Sequence, residues 1–318
     1  MPEPTVSFPL RACAGIASRL WGSAYLLLII TVLLWSGNII VGRAAHENVP
    51  PIALTFWRWT LALVVVMPFA WRHVMRDRAV LLRSWKVLVI LSITGISAYN
   101  AFAYSGLAST TAVNAALLQS ALSPIILVWG LIVFRDRPGW MQIFGVGVSL
   151  VGVALIVAKG SPEALFSLRL NPGDGLVLTG LMAYGLYSVV LKVKPIVHPL
   201  SFLAVTFALG ALFLLPFYAV EVANGRLIRL VPASALAIVY VGLFPSLIAY
   251  LCFNRGVELI GAGRAGQFIH LMPVFASLLA VIFLGEHLRL YHLIGAAIIG
   301  LGIVIASRRP VSDVIERT

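Results

Sequence analysis

Several groups of polar and aromatic residues in this chain sit at helical spacing inside long apolar runs. Ser246, Tyr250 and Asn254 recur every four residues and so share one helix face. Asn100 and Tyr104 repeat that spacing earlier, with Tyr99 beside them. Trp35 with Asn38, and Tyr184 with Tyr187, are pairs three residues apart. Gln119 with Ser123, and Gln267 with His270, each lie about one turn apart, and Arg58 stands by itself in an apolar segment. Rings supply apolar and cation–π contact, and amides and hydroxyls fix orientation. An arginine grips a carboxylate or phosphate through two nitrogens. Together these suit a neutral or zwitterionic solute, so these residues are the candidate substrate-binding set. Tyr104 and Asn254 are the exceptions, because they fall at helix ends, where an interfacial position is expected.

Each group also has a plainer use. An Asn, Ser or Gln in an apolar segment can simply bond a neighbouring helix. Arg58 can snorkel to the outer surface or cap a neighbour's carbonyls. His270 can titrate and carry a proton, or stay neutral against a helix partner.

Covalent chemistry finds no support. Gly95-Ile96-Ser97 is not followed by the glycine of a nucleophile elbow, and His46-Glu47 lacks the second histidine of a metalloprotease helix. No glycine-rich loop ends in Lys-Ser or Lys-Thr, and Cys13 and Cys252 match no metal or redox spacing. The eleven acids all fall in loops, tails or helix ends. Cation and proton carriers generally place a carboxylate within the bilayer, so a divalent-metal carrier and a cationic-drug antiporter are disfavoured. No cofactor, metal or enzymatic activity is expected.

The elements that must position these residues follow from composition. Of 318 residues, 61% are hydrophobic and 11% charged, against about 25% charged in ordinary soluble domains. Ten apolar stretches approach the length of a membrane helix: 23–44, 52–70, 85–104, 112–133, 140–158, 173–194, 200–221, 233–253, 264–284 and 290–307. Their connections are too short to hold another domain. With the N-terminus in the cytoplasm, sixteen of the 23 Lys and Arg residues fall in inside segments and six outside. That is the positive-inside bias, with both termini cytoplasmic. It accounts for the net charge of +12 without a nucleic-acid partner.

The chain also repeats itself at a spacing of 148–150 residues. Trp35 pairs with Tyr184, Asn38 with Tyr187, Pro51 with Pro199, Asn100 with Tyr250, Tyr104 with Asn254, Pro124 with Pro273, and Gly145 and Gly152 with Gly295 and Gly302. Residues 23–158 and 171–307 read as two copies of a five-helix unit within one membrane domain. Five is odd, so the second copy is inverted. Paired inverted units suit a site opened first to one side and then to the other. The Gly145–Gly152 and Gly295–Gly302 ladders are close-packing surfaces, for scaffold or for a homodimer.

Leu34-Trp35-Ser36-Gly37-Asn38 is followed by Pro50-Pro51 and Phe56-Trp57-Arg58-Trp59. Ser120-Ala121-Leu122-Ser123-Pro124 and Met272-Pro273-Val274-Phe275 occupy matching places in the halves, and Leu284-Gly285-Glu286 precedes a glycine-rich last helix. In this order the segments resemble the EamA family of the drug/metabolite transporter superfamily, over residues 23–307. The resemblance implies an all-α membrane protein of ten helices as two inverted five-helix repeats. It also implies a central cavity and export of amino acids or other metabolites. The chain is similar to bacterial exporters of aromatic and other neutral amino acids, which places it in a bacterial inner membrane. A nucleotide-sugar or drug permease is the alternative, and an intramembrane enzyme a remote one.

Overall fold

The computed structural model describes residues 20–45, 48–110, 118–161, 163, 171–284 and 287–307. Among these residues every regular element is helical. The elements are α1 (Ala24–Ala45), α2 (Pro51–Arg83), α3 (Trp85–Leu107), α4 (Leu122–Phe134) and α5 (Trp140–Val157). They continue with α6 (Pro172–Val190), α7 (Pro199–Ala223), α8 (Pro232–Ile260), α9 (Met272–Leu284) and α10 (Leu290–Ser307).

Eight of these segments are long and apolar enough to cross a membrane. Their outward faces carry Val64, Phe69, Val151, Phe217, Leu236 and Leu293, all well exposed. Such a surface requires a lipid solvent. The fourth and ninth expected spans are shorter. Leu118–Phe134 covers 17 residues, and the expected start of that span at 112–117 lies outside the described residues. The 13-residue α9 is entered through a short helix, Ala262–Gln267, and a 3₁₀ turn, Phe268–Leu271. The Ser120 carbonyl and His270 Nε2 lie 3.1 Å apart, tying these two irregular entries together. Irregular backbone at membrane depth is tolerable where protein covers it.

The expected second span, 52–70, continues in α2 for 33 residues as far as Arg83. At 1.5 Å per residue that is about 50 Å, against a hydrocarbon core of about 30 Å. Arg72, Arg76, Asp77, Arg78 and Arg83 lie on the last turns, beyond the apolar stretch.

α2 and α7 both begin on a proline, at the position where a helix needs no N–H donor. They pack against one another, and each caps the other's open end. Glu221, near the end of α7, accepts from the backbone N–H of Ile52 (3.3 Å) and Ala53 (2.7 Å). Asp77, near the end of α2, accepts from the N–H of His198 (2.9 Å) and the hydroxyl of Ser201 (2.8 Å). A carboxylate here satisfies orphan donors and meets the positive end of the helix dipole. α6 has its own capping box, Asn171 with Asp174, and Thr110 donates to Asp174.

The principal helix pairs are α5 with α10, α2 with α7, α3 with α6 and α1 with α8. Under the sequence repeat α1 corresponds to α6, α3 to α8 and α5 to α10. Exchanging the halves therefore turns α1–α8 into α6–α3 and leaves the other two pairs unchanged. The glycine ladders lie inside the α5–α10 pair. A Cβ on Gly145 would come 2.5 Å from the Gly302 carbonyl, and one on Gly152 would come 2.7 Å from that of Gly295. Those ladders are thus used within the chain, not as a face for a second copy. Gly302→Ala should destabilise by about 1–3 kcal/mol through overpacking. Gly147→Ala, which meets nothing within 4 Å, should be neutral. Melting of the purified variants in detergent tests the contrast.

His198 stacks on His73 with ring centroids 3.6 Å apart, and its Nδ1 accepts from Leu200 N–H. Burial holds its pKa below the ordinary value, helped by His73 and Arg76 and opposed by Asp77. The unfolded chain therefore takes up this proton first, and stability falls as the pH drops below about 6.5. His198→Asn keeps a capping side chain without the titration, so its melting temperature should depend less on pH between about 7.5 and 5.5.

Candidate functional site

Two helices in the bundle depart from α-geometry at matching places. Ile93–Ala98 in α3 and Gly242–Ile248 in α8 are π-helical, and the repeat spacing of 150 superimposes them. In α8 the cause is Pro245, which has no N–H and crowds the preceding turn. In α3 the counterpart is Gly95, where a Cβ would lie 2.2 Å from the Tyr187 ring. Both turns leave carbonyls free for side chains of the opposite half. Tyr250 donates to Gly95 O, and Trp35 Nε1 donates to Pro245 O at 3.1 Å. The tight contacts made by π-turns here hold aromatic side chains at the centre of the molecule.

A small chamber lies between these turns. Trp35, Asn38, Arg58, Tyr99, Asn100, Gln119 and Tyr250 all line it, joined by Tyr104 and Met272. Its volume is about 30 Å³, room for one small group rather than a whole solute. Arg58 is only 2% exposed, so it does not snorkel. Its Nε donates to Ser246 (2.7 Å), and Nη1 donates to Asn100 Oδ1 (3.0 Å) and the Tyr104 hydroxyl (2.6 Å). Tyr99 and Gln119 stand together in the chamber wall.

Tyr184 and Tyr187 belong to a continuous aromatic layer beneath. Tyr184 meets Trp35 edge-on at 5.5 Å and lies 4.7 Å from Tyr99 and 5.2 Å from Tyr187, centroid to centroid. Trp59 meets Tyr250 edge-on at 4.9 Å. Beyond this layer, α6 and α8 run on to a vestibule of about 780 Å³, lined by Arg137, Lys192, Lys194, Arg255, Glu258 and Arg264 among others. Lys194 pairs with Glu258 at 2.7 Å and Lys192 with Asp136 at 2.6 Å across its walls.

Ser123, Gln267 and His270 do not reach the chamber. They are buried at the junction of α4 with the entry to α9. Ser123 Oγ, the Gln267 amide and His270 Nδ1 have no hydrogen-bond partner among the described residues, nor does the Tyr184 hydroxyl.

Tyr104 and Asn254, expected at an interface, are instead buried. Tyr104 donates to Asn38 Oδ1 at 2.7 Å, and Tyr187 donates to Asn254 Oδ1 at 2.7 Å. The sequence repeat pairs Asn38 with Tyr187 and Tyr104 with Asn254. The same bond therefore occurs twice, with donor and acceptor residues exchanged between halves. That correspondence was the signal for both residues. Double-mutant cycles of Tyr187→Phe with Asn254→Leu, and of Tyr104→Phe with Asn38→Leu, should each give a coupling of about 0.5–1.5 kcal/mol. Unfolding in detergent measures it, and a coupling near zero in both would deny the bonds.

The model of the EamA-like transporter family matches this chain twice, over residues 22–158 and 171–308. An uncharacterized transporter of Archaeoglobus fulgidus is 29% identical over 90% of this chain and 97% of its own length. The uncharacterized transporter YyaM of Bacillus subtilis is 28% identical over 81% and 84%. A probable terminal-alkyne amino-acid exporter of Streptantibioticus cattleyicolor is 29% identical over 89% and 92%. A crystal structure superimposes with a TM-score of 0.69 at 23% identity, covering 89% of this chain and 96% of that one, a likeness of fold. With matched helical units in both halves and a polar chamber between them, this chain belongs to the EamA-like transporter family, as a multi-pass membrane transporter.

Proposed function

We propose that the protein exports small neutral metabolites, foremost amino acids including aromatic ones, across a bacterial inner membrane. Ten spans in two inverted five-helix repeats, 23–158 and 171–307, would carry it out by alternating access, with both termini cytoplasmic. The observation that carries this reading is the closed chamber walled by Trp35, Tyr99, Asn100, Gln119 and Tyr250 from both repeats. Rings accept an apolar side chain or an ammonium group, and amides and hydroxyls orient the rest. The named activity of the Streptantibioticus relative is in keeping with it.

The duplicated hydrogen bond supplies a mechanism. Tyr187–Asn254 stands between chamber and vestibule, with the Lys194–Glu258 pair further out. Asn38–Tyr104 is its counterpart at the chamber's other side. Each acts as a latch. Releasing one while the other holds opens the chamber to one face only, and the near equivalence of the halves keeps the two states close in energy. The vestibule corresponds to the cytoplasmic mouth, since its basic residues are those the positive-inside rule assigns there.

Flux of labelled phenylalanine, threonine and methionine into proteoliposomes tests the reading, with and without an imposed proton gradient. Saturable flux is expected, reduced about tenfold or more in Tyr99→Ala or Tyr250→Ala by loss of aromatic contact. Absence of flux from folded protein would reject the amino-acid assignment.

A further inference from the structure

We infer that the chamber recognises its solute by a carboxylate seated on Arg58, and that an α-amino group is dispensable. This deepens the proposed export of amino acids and rests on that reading.

A guanidinium inside a membrane bundle is costly unless its charge is used or neutralised. Among the described residues, Arg58 has no acid paired with it. The ion pairs among the described residues involve Arg76, Lys192, Lys194 and Arg255, all at helix ends or loops. Its three hydrogen-bond partners are neutral, and they occupy Nε and Nη1 only. Nη2 makes no hydrogen bond among the described residues.

Each partner is itself committed. Ser246 donates to Val241 O at 2.6 Å, Asn100 Nδ2 to Ile96 O at 2.8 Å, and Tyr104 to Asn38 at 2.7 Å. Those outward bonds leave one oxygen of every partner turned to the guanidinium. The group is therefore fixed in plane before any solute arrives, at the wall of the chamber. With Nε and both N–H groups of Nη1 engaged, the two N–H groups of Nη2 remain for a solute, and a prearranged cationic donor of this kind favours an oxyanion such as a carboxylate through a charge-assisted hydrogen bond.

The amine end has no such receptor. Among the described residues that line it, the chamber has no carboxylate. Among the described residues an ammonium finds the faces of Trp35, Tyr99 and Tyr250 and the neutral oxygens of Asn38 and Gln119. Cation–π contact is weaker than a buried ion pair with an arginine. The preferred class is thus a small monocarboxylate with an apolar or aromatic body, with or without the amine.

The test uses the wild-type protein in detergent and four ligands that differ at one group. Labelled phenylalanine is displaced by unlabelled phenylalanine, 3-phenylpropanoate, 2-phenylethylamine or phenylalaninamide, and each ligand's effect on melting temperature is recorded separately. 3-Phenylpropanoate should compete within about threefold of phenylalanine, and the amine and amide about thirtyfold or more weakly, as expected for loss of a charge-assisted pair. Arg58→Lys keeps a positive charge but loses the guanidinium that Ser246, Asn100 and Tyr104 hold in place, and should weaken both carboxylates about tenfold or more while leaving the amine unchanged. Amide or amine binding as tight as phenylalanine would overturn the anchor and leave amino-acid export standing. So would Arg58→Lys with wild-type affinity. Stabilisation by 3-phenylpropanoate but not by phenylalanine would support the anchor and remove the amino-acid reading. No effect of any ligand on protein shown to be folded would overturn both.

Discussion

Inside a bilayer a polar group has only the rest of the chain for a partner, and this molecule is organised around that demand. Helix starts that would expose bare N–H groups carry prolines, carboxylates or a capping box. Thr31, Ser36, Thr55, Ser92 and Thr206 return their hydroxyls to carbonyls of their own helices. The π-turns release carbonyls, and Tyr250 and Trp35 collect them. Each aromatic residue held this way comes from the other half of the chain. Satisfying the backbone and building the chamber are therefore one operation.

The two halves are joined by exchange rather than by a flat contact. α1 leans on α8 and α6 on α3, while α2 with α7 and α5 with α10 cross the division directly. A bond inside each half shows the same exchange. Where the first half offers Asn38 to Tyr104, the second offers Tyr187 to Asn254. Duplication has preserved the bond and let its ends trade places. Arg58 breaks the equivalence, since its counterpart Thr206 merely bonds Phe202 and Leu203 carbonyls. In the proposed mechanism the symmetric part of the structure would provide the motion, and this asymmetric residue the charge.

Much of this was legible in the chain. Apolar runs located the helices, glycine spacing located the α5–α10 ladder, and aligned polar and aromatic positions together with the lone Arg58 located seven of the residues that line the chamber. What could not be read were properties created by contact. α2 outlasts its apolar stretch because Asp77, Ser201 and the His73–His198 stack hold its far end against the start of α7. Tyr104 and Asn254 look interfacial by position along their helices, but partners from other helices draw them inward. Ser123, Gln267 and His270 fit the right periodicity and still turn away, because helix rotation is decided by neighbours. Neither π-turn was anticipated: Pro245 lies inside an apolar run, and glycine at 95 gave no sign that its turn would be π-helical.

The crossed capping of α2 and α7 bears on how the protein is made. Ala53 and the glutamate that caps it are 168 residues apart. A ribosome adding about 5–20 residues per second needs roughly ten to thirty seconds to cover that distance. Through that interval α2 is already emerging from the translocation machinery with its N-terminal donors unpaired, and water at the membrane edge must serve them. The reverse cap is ready at once, because Asp77 has been synthesised before α7 begins. Assembly therefore has a direction: the first half waits open, the second folds onto a prepared anchor, and the arrival of Glu221 closes the pair.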